Sequence, residues 1–133
     1  MYMQGMMPGY APAFPAGYEL EDSRSNKPYY PDLVKTLQDC EAVCERMTNF
    51  IKECFDVKMR VKQLKLLRDC ADICGLTAKF VARCSAFAKD IARLCACICE
   101  ACAIECARYP DRESQHCARV CINCARECMA FAS

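Results

Sequence analysis

The 133-residue sequence has no tryptophan, one histidine and four glycines. With a single histidine, the chain has few ways to build a His-based catalytic site. Eighteen Lys and Arg oppose seventeen Asp and Glu, so the chain lacks the basic excess of a nucleic-acid-binding domain. No apolar run reaches the ~18 residues that a membrane-spanning helix needs. The composition therefore argues against nucleic-acid binding and against a membrane span.

Large aliphatic and aromatic residues are also scarce. Leu, Ile, Val and Phe together make up about 20% of the chain, close to the level at which a chain struggles to build a core. The apolar fraction is nevertheless 54%, because alanine and fifteen cysteines supply the rest. A buried cysteine behaves as a small hydrophobe, so we expect thiols to form much of the core.

The N-terminus does not look like a secretory signal. It reads MYMQGMMPGYAPAFPAGYELED, with no Lys or Arg before Arg24 and with Gly and Pro in every apolar stretch. A signal needs a basic start, an unbroken apolar region and a small-residue cleavage site. We therefore expect a cytoplasmic protein, in which thiols stay reduced and clustered cysteines indicate metal binding or catalysis.

Residues 1–31 differ in composition from the rest of the chain. They contain five of the six prolines, three of the four glycines and five of the six tyrosines. A segment of this kind cannot bury enough apolar surface to offset its ordering entropy, which predicts a disordered Met/Tyr/Pro/Gly-rich tail. The remaining residues, 32–133, are expected to form one domain.

Four stripes of residues spaced three and four apart predict four amphipathic helices. The first stripe contains Leu33, Leu37, Cys40, Cys44, Met47, Ile51 and Cys54. The second contains Leu67, Cys70, Cys74, Thr77, Val81 and Cys84. The third contains Ala88, Ile91, Cys95, Cys99, Cys102 and Cys106. The fourth contains Cys117, Cys121, Cys124, Cys128 and Phe131.

These stripes predict an all-α fold, an antiparallel up-down-up-down four-helix bundle with a Cys-lined core. Asp32, which follows Pro31, is a candidate N-cap of the first helix, and Pro110 separates the third helix from the fourth. Fourteen of the fifteen cysteines lie on the inward stripes. Cys97 is the exception, two residues from both Cys95 and Cys99 and therefore on the far side of its helix.

Four explanations compete for the inward cysteines. Disulfides would make a structural, coat-like protein, but Cβ atoms at i and i+4 lie ~5–6 Å apart on a helix and a disulfide needs ~3.5–4.5 Å. An inert thiol core would lose dispersion contacts relative to leucine. Zinc or an iron–sulfur cluster would use thiolate ligands, yet only two C-x2-C pairs occur, each inside a longer helical repeat.

Charge favours the fourth explanation, Cu(I). Four thiolates around Zn²⁺ keep a net charge of −2, and the inward stripes contain no Lys or Arg to balance it. Cu(I) prefers soft thiolates, and one ion per thiolate is neutral, so many ions can be stacked inside one bundle. The sequence therefore predicts a cytoplasmic store and buffer for multiple Cu(I) ions, with zinc or iron–sulfur binding and a disulfide scaffold as alternatives.

The pattern of C-x3-C, C-x3-C and two copies of C-x3-C-x2-C-x3-C resembles the bacterial Csp copper storage proteins. The resemblance covers about 100 residues, 32–133, and rests on Cys40, Cys44, Cys70, Cys74, Cys95, Cys99, Cys102, Cys106, Cys117, Cys121, Cys124 and Cys128, with Cys54 and Cys84 beside them. It implies storage of many Cu(I) ions in each bundle and assembly as tetramers. Cys97 and the tail lie outside the shared pattern.

The candidate metal ligands are these fourteen cysteines together with His116, Met47 and Met59. In the predicted topology one end of the bundle gathers Cys54, Met59, Cys106, His116 and Cys117, whereas the other gathers the apolar residues Leu33, Leu37, Ile91 and Phe131, with Cys84 near the turn. We predict that metal enters at the first end, with Met59 and His116 as weaker, mobile ligands. Alternatively, His116 is an exposed helix-start residue and Met47 fills the core.

No catalytic constellation is visible, so we expect no enzyme activity. Both C-x2-C pairs lie in mid-helix, whereas a thiol oxidoreductase has its reactive pair at a helix N-terminus. The expected partners are copper ions, a copper chaperone or copper-dependent enzyme, and further copies of the chain. The tail methionines Met1, Met3, Met6 and Met7 leave open an arm that passes Cu(I) or docks on a partner.

Overall fold

The structure, a computed structural model, describes residues 30–133. It contains four helices, α1 (Pro31–Lys52), α2 (Val61–Ala82), α3 (Ala88–Cys106) and α4 (Arg112–Ala132), and a short 3₁₀ helix, Val57–Arg60, before α2. Each long helix packs against its neighbour in sequence, and α1 closes the square against α4. Within residues 30–133 the backbones of the diagonal pairs, α1 with α3 and α2 with α4, stay further apart than those of neighbouring helices, although side chains of α2 and α4 meet in the core. The predicted antiparallel four-helix bundle is confirmed. Residues 1–29 of the predicted tail lie outside the described residues, whereas Pro31, predicted as the last tail residue, belongs to α1.

The start of α1 differs from the prediction. Pro31 occupies the first helical turn, and Tyr30 is the N-cap residue, without a side-chain capping bond. Proline suits this position because its missing N–H has no helical acceptor there. Asp32 is therefore not the N-cap. It lies in the first turn, where its charge favours the positive end of the helix dipole.

The connection from α2 to α3 is a Schellman turn with cysteine where glycine is usual. Cys84 has φ 54°, in the left-handed region, and its N–H bonds to the Val81 carbonyl at 3.1 Å. The N–H of Ser85 bonds to the Phe80 carbonyl at 3.0 Å. These two bonds satisfy carbonyls at the helix end and turn the chain sharply into α3.

The connection from α3 to α4 follows the prediction that Pro110 breaks the chain. It ends in an N-cap, since the Asp111 side chain accepts a 2.8 Å hydrogen bond from the Ser114 N–H. This cap fixes the start of α4 and, with it, the depth at which Cys117 enters the bundle.

The buried core follows the predicted stripes, except that at one end of the bundle the buried position moves by one residue on α3 and on α4. On α3, Ala92 is fully buried and Ile91 is half-buried; on α4, Ala132 is buried and Phe131 is half-buried. A straight helix repeats every 3.6 residues and drifts from a 3.5-residue stripe, so the inward position moves by one residue near the helix ends. No helix among residues 30–133 is long and apolar enough to cross a bilayer.

Candidate metal centre

Twelve thiols fill the interior of the bundle. Each of these cysteines has zero solvent exposure: Cys40, Cys44, Cys70, Cys74, Cys95, Cys99, Cys102, Cys106, Cys117, Cys121, Cys124 and Cys128. All fifteen cysteines lie in the described part of the chain, and there every one is a free thiol. The i, i+3 and i, i+4 spacing on each helix directs them to one side, and the four helices bring the four sides together.

Two groups of four sulfurs lie in the middle of this column. In the first, the Sγ atoms of Cys40, Cys74, Cys99 and Cys124 lie within 4.8 Å of one another. The closest pair, Cys74 and Cys99, is separated by 3.5 Å and joins α2 to α3. Each of the four helices contributes one thiol to this group, so the group forms only when the bundle is folded.

The second group lies one helical turn further along. It consists of Cys40, Cys44, Cys70 and Cys121, whose Sγ atoms also lie within 4.8 Å of one another. Cys44 and Cys121 are 3.7 Å apart, and Cys70 and Cys121 are 3.9 Å apart. A covalent disulfide would need an S–S distance near ~2.05 Å, so these are non-bonded thiols in contact.

The groups overlap and continue towards both ends. A third group contains Cys95, Cys124 and Cys128. Cys40 belongs to two groups and so does Cys124, which makes the thiols one connected column instead of separate sites. Cys117, 3.9 Å from Cys121, extends the column in the other direction, towards Cys102 and Cys106.

The walls of the column are apolar on the side of the first two helices. Leu37, Ile51 and Leu67 are fully buried, and Met47 and Val81 are nearly so. Between them, α3 and α4 supply alanines, such as Ala92 and Ala96, which allow the helices to lie close together. Buried leucine, isoleucine and valine hold the bundle together independently of any metal ion.

Hydrogen bonds between thiols and burial set the protonation of the column. Hydrogen bonding to neighbouring thiols, followed by burial, raises the pKa of Cys44, Cys74, Cys106 and Cys128 above the ordinary thiol value. Hydrogen bonds to neighbouring thiols lower the pKa of Cys40 and Cys70, which lie four residues before Cys44 and Cys74. Neighbouring thiols of the column therefore differ in how readily they lose a proton.

One end of the column is closed by a buried polar network that the sequence analysis did not find. Arg60, at the end of the 3₁₀ helix, is 6% exposed. Its guanidinium forms ion pairs with Asp56 at 3.1 Å and Asp111 at 2.8 Å, and its carbon lies 4.4 Å from the centre of the Tyr109 ring. Burial and the hydrogen bonds of Ser114 and Arg60 act in opposite directions on Asp111, and its pKa is lowered on balance.

Gln63 links this network to the thiols. It is fully buried and donates to the Ser114 hydroxyl at 2.9 Å and to the Cys106 sulfur at 3.5 Å. The sequence carried a signal for this arrangement. Extending the second stripe backwards from Leu67 by four and three residues leads to Gln63 and Arg60. Both residues are polar, so a stripe defined by apolar residues begins at Leu67 and does not predict these inward positions.

The opposite end is apolar, as predicted. Leu33 is buried there, and the rings of Tyr30 and Phe131 meet edge to face with centroids 4.9 Å apart. Cys84 is half-buried at the nearby turn. Polar groups therefore border the column at one end and apolar groups at the other.

The remaining candidate ligands lie outside the column. Cys54 is half-buried at the polar end and donates to the Phe50 carbonyl at 3.4 Å, and burial raises the pKa of its thiol. Met59 is 81% exposed. His116 is exposed and lines an outer groove of about 580 Å³ between α1 and α4. Met47 is buried in the core, as its stripe position indicates.

A four-helix bundle whose interior is a connected column of free thiols defines a class of soft-metal-binding bundle proteins. The profile of one family, the copper storage proteins (Csp), matches residues 26–133. The chain belongs to this family. A comparison with curated protein sequences gives no significant match.

Solved structures of similar proteins have the same fold. Apo-Csp3, copper storage protein 3 from Bacillus subtilis, is 34% identical over 79% of this chain and 100% of its own, with a TM-score of 0.74. The Cu(I)-bound copper storage protein BsCsp3 is 34% identical over 77% of this chain and 96% of its own, with a TM-score of 0.72. Ccsp from Streptomyces lividans, loaded with 10 copper equivalents, is 24% identical over 76% of this chain and 81% of its own, with a TM-score of 0.73.

Proposed function

We propose that this protein stores and buffers Cu(I), with many ions bound to the thiolates inside one bundle. The observation that carries the proposal is the overlap of the thiol groups. Cys40 and Cys124 each belong to two groups, so their sulfurs are placed to bridge neighbouring ions. Membership of the copper storage family and the Cu(I)-bound relative support the same function.

The charge of the interior favours a monovalent ion. Each bound Cu(I) replaces one thiol proton, so a thiolate and its ion together are neutral and the proton leaves to solvent. Among the buried residues of the described chain, Arg60 is the one basic residue, and it is already paired with two carboxylates at the end of the column. Burying several tetrathiolate sites of charge −2 would lack compensation there.

The shared thiols also argue against zinc as the main cargo. A structural zinc site is a closed set of four ligands around one ion. The two central groups both need Cys40, so two closed four-thiolate sites cannot exist there at once. Bridging thiolates suit a continuous series of Cu(I) ions.

The test is an anaerobic titration of the reduced, metal-free protein with Cu(I) against a competing chelator, followed by metal counting. We expect about one ion per buried thiol. Cys40→Ser should lower the capacity by more than one ion, because the sulfur bridges two groups. The matched control is Cys97→Ser, an exposed cysteine, which should leave the capacity unchanged. A plateau near one ion per four thiols, or a preference for zinc, would contradict the proposal.

The ligand set that we propose comprises the fourteen cysteines other than Cys97, with Met47 as a thioether ligand beside the column. We further propose that copper enters at the polar end, where Met59 and His116 are exposed and able to act as mobile ligands. Replacing both with alanine should slow Cu(I) uptake without changing the final capacity. An uptake rate equal to that of the wild type would refute this route.

We also propose that the protein acts in the cytoplasm, as a store and not as a catalyst, in exchange with a copper chaperone or a copper-dependent enzyme. The proposed Cu(I) binding needs reduced thiols, and a reducing compartment such as the cytoplasm keeps thiols reduced. Cell fractionation followed by immunodetection would show whether the protein is in the cytoplasm.

A further inference from the structure

The outer groove between α1 and α4, about 580 Å³ in volume, is rich in arginine. Arg46 lines it from α1, and Arg112 and Arg119 line it from α4. All three are exposed, and in the described part of the chain none of their guanidinium groups forms an ion pair. Pockets of ~300–1,000 Å³ hold small organic molecules, and guanidinium groups bind carboxylates in a bidentate manner. The groove therefore fits a small organic anion.

The floor of the groove is apolar and contains a thioether. Val43, Met47 and Phe50 supply it from one face of α1. Met47 is only 4% exposed, so it belongs both to the groove and to the buried core. The floor can pack against the hydrocarbon part of a ligand, and the sulfur of Met47 is a soft donor of the kind that Cu(I) prefers.

The lining also contains one carboxylate. Glu113 and His116, one turn apart on α4, are exposed and line the groove. Gln115 lines it as well, but its amide already donates to the carbonyls of Ala107 at 3.1 Å and Tyr109 at 2.7 Å. A carboxylate repels a simple anion and attracts an ammonium group. Three guanidinium groups and one carboxylate therefore suit a ligand that has more carboxylates than ammonium groups.

The groove adjoins thiols at the polar end of the column. Cys54 is half-buried, and its Sγ donates to the carbonyl of the groove residue Phe50 at 3.4 Å. His116 directly precedes Cys117, which belongs to the column. A ligand in the groove would lie beside the end at which we propose that copper enters.

We propose that the α1–α4 groove binds a small zwitterionic thiol that has two carboxylates and one ammonium group, as glutathione has, and accepts Cu(I) from its thiolate. The arginines pair with the carboxylates, Glu113 pairs with the ammonium group, and the floor around Met47 contacts the part of the ligand that carries sulfur and copper. The delivery of copper rests on the Cu(I) storage proposed above, whereas binding of the metal-free thiol does not.

Delivery is an exchange of thiolates. A bond forms between Cu(I) and the Sγ of Cys54 while the bond between Cu(I) and the carrier thiolate breaks. The proton of the Cys54 thiol passes to the released carrier sulfur. The ion remains Cu(I) throughout, so the exchange needs no oxidant or reductant.

The first test is an NMR titration of the metal-free, reduced full chain with reduced glutathione. The wild type should bind with a Kd of about 1 mM or lower. Arg46→Gln/Arg119→Gln should raise the Kd about tenfold, because two exposed ion pairs are lost. The matched control, Arg68→Gln/Arg126→Gln, removes two exposed arginines outside the groove and should leave the Kd unchanged. The proposal is overturned by an absence of binding at about 10 mM glutathione, or by equal Kd values for the two double variants.

Glu113→Gln tests the zwitterionic character of the ligand. The variant should bind glutathione more weakly than the wild type and N-acetylglutathione more tightly, because the acetylated peptide has no ammonium group. Any other result, such as tighter binding of both peptides, rejects the zwitterionic ligand in favour of a general anion.

Anaerobic kinetics of Cu(I) uptake separate delivery from storage. Arg46→Gln/Arg119→Gln should take up copper from its glutathione complex about tenfold more slowly than the wild type, and from the Cu(I)–acetonitrile complex no more slowly. The final capacity should be that of the wild type with both donors. Equal rates with the glutathione complex would overturn the delivery step while storage holds. A wild-type protein that fails to accumulate copper from either donor would overturn storage itself, and the NMR titration would still report on the groove.

Discussion

Arg60 is predicted to be the residue whose removal costs the most stability at the polar end of the bundle. Its guanidinium joins four segments, since it bonds to Asp56 before the 3₁₀ helix, Gln63 on α2, Asp111 before α4 and Ser114 on α4. Replacing it with alanine removes one donor from each of these partners and removes the contact with the ring of Tyr109.

The size of the effect follows from the exposure of the partners. Removing one partner of a fully buried ion pair costs about 3–5 kcal/mol. Asp56 and Asp111 are 26% and 22% exposed, so water replaces part of the lost interaction. Gln63 and Ser114 are fully buried, and each loses one of its hydrogen bonds. We therefore expect Arg60→Ala to lower the free energy of unfolding by about 2–3 kcal/mol.

The assay is urea unfolding of the metal-free, reduced protein, followed by circular dichroism. Arg60→Lys should recover only part of the loss, because an ammonium group cannot bridge two carboxylates and stack on a ring at once. Arg126→Ala, at an exposed position on α4, is the control and should change stability by less than ~0.5 kcal/mol. A wild-type midpoint for Arg60→Ala, or full rescue by lysine, would refute this account of the network.

Three further predictions concern the turn, the α1–α2 contact and acid stability. Cys84→Gly should stabilise the metal-free protein by about 1 kcal/mol, because glycine adopts positive φ without strain; differential scanning calorimetry should show a higher Tm, and an unchanged or lower Tm would contradict this. Gly75→Ala should raise the free energy of unfolding by about 0.5–1 kcal/mol in urea, because alanine favours a helix more than glycine does. The new Cβ would lie 2.5 Å from Oε2 of Glu41, whose flexible side chain can rotate away. A net loss of stability would show that the Glu41 side chain does not move. The lowered pKa of Asp111 means that its charge stabilises the fold above its unfolded pKa of about 3.9 and that this contribution is lost as the pH falls through the lower, folded value. The stability difference between wild type and Asp111→Asn, measured in urea at several pH values, should therefore shrink below about pH 4, and a constant difference would argue against the charge.

The sequence predicted the bundle because its signal repeats four times. Every stripe contains cysteines at i and i+4, and the third and fourth stripes add one at i+7, which indicates a shared inward face; the four faces together require one interior. The family resemblance rested on the same residues, and the family profile confirms it. The choice of Cu(I) over zinc came from charge and from the scarcity of C-x2-C pairs, and the overlap at Cys40 adds a geometric reason that no sequence pattern contains.

The polar end was not predicted, because its residues are ordinary in the sequence. Arg60 and Glu105 look like solvated surface charges in the sequence, yet both are buried, Arg60 because its side chain reaches Asp111 and the ring of Tyr109 in the connection between α3 and α4. Such tertiary positions are not encoded by the spacing within one helix. The N-cap of α1 was wrong for a simpler reason, since Pro31 itself fits the first helical turn and moves the cap to Tyr30.

Because some thiols belong to more than one group, the groups do not fill with copper independently. When neighbours share a sulfur, the arrival of one ion alters the donors left for the next, so no ion occupies a compartment of its own. Occupancy can then rise and fall in small increments, and the protein can hold free copper near a set level over a wide range of supply.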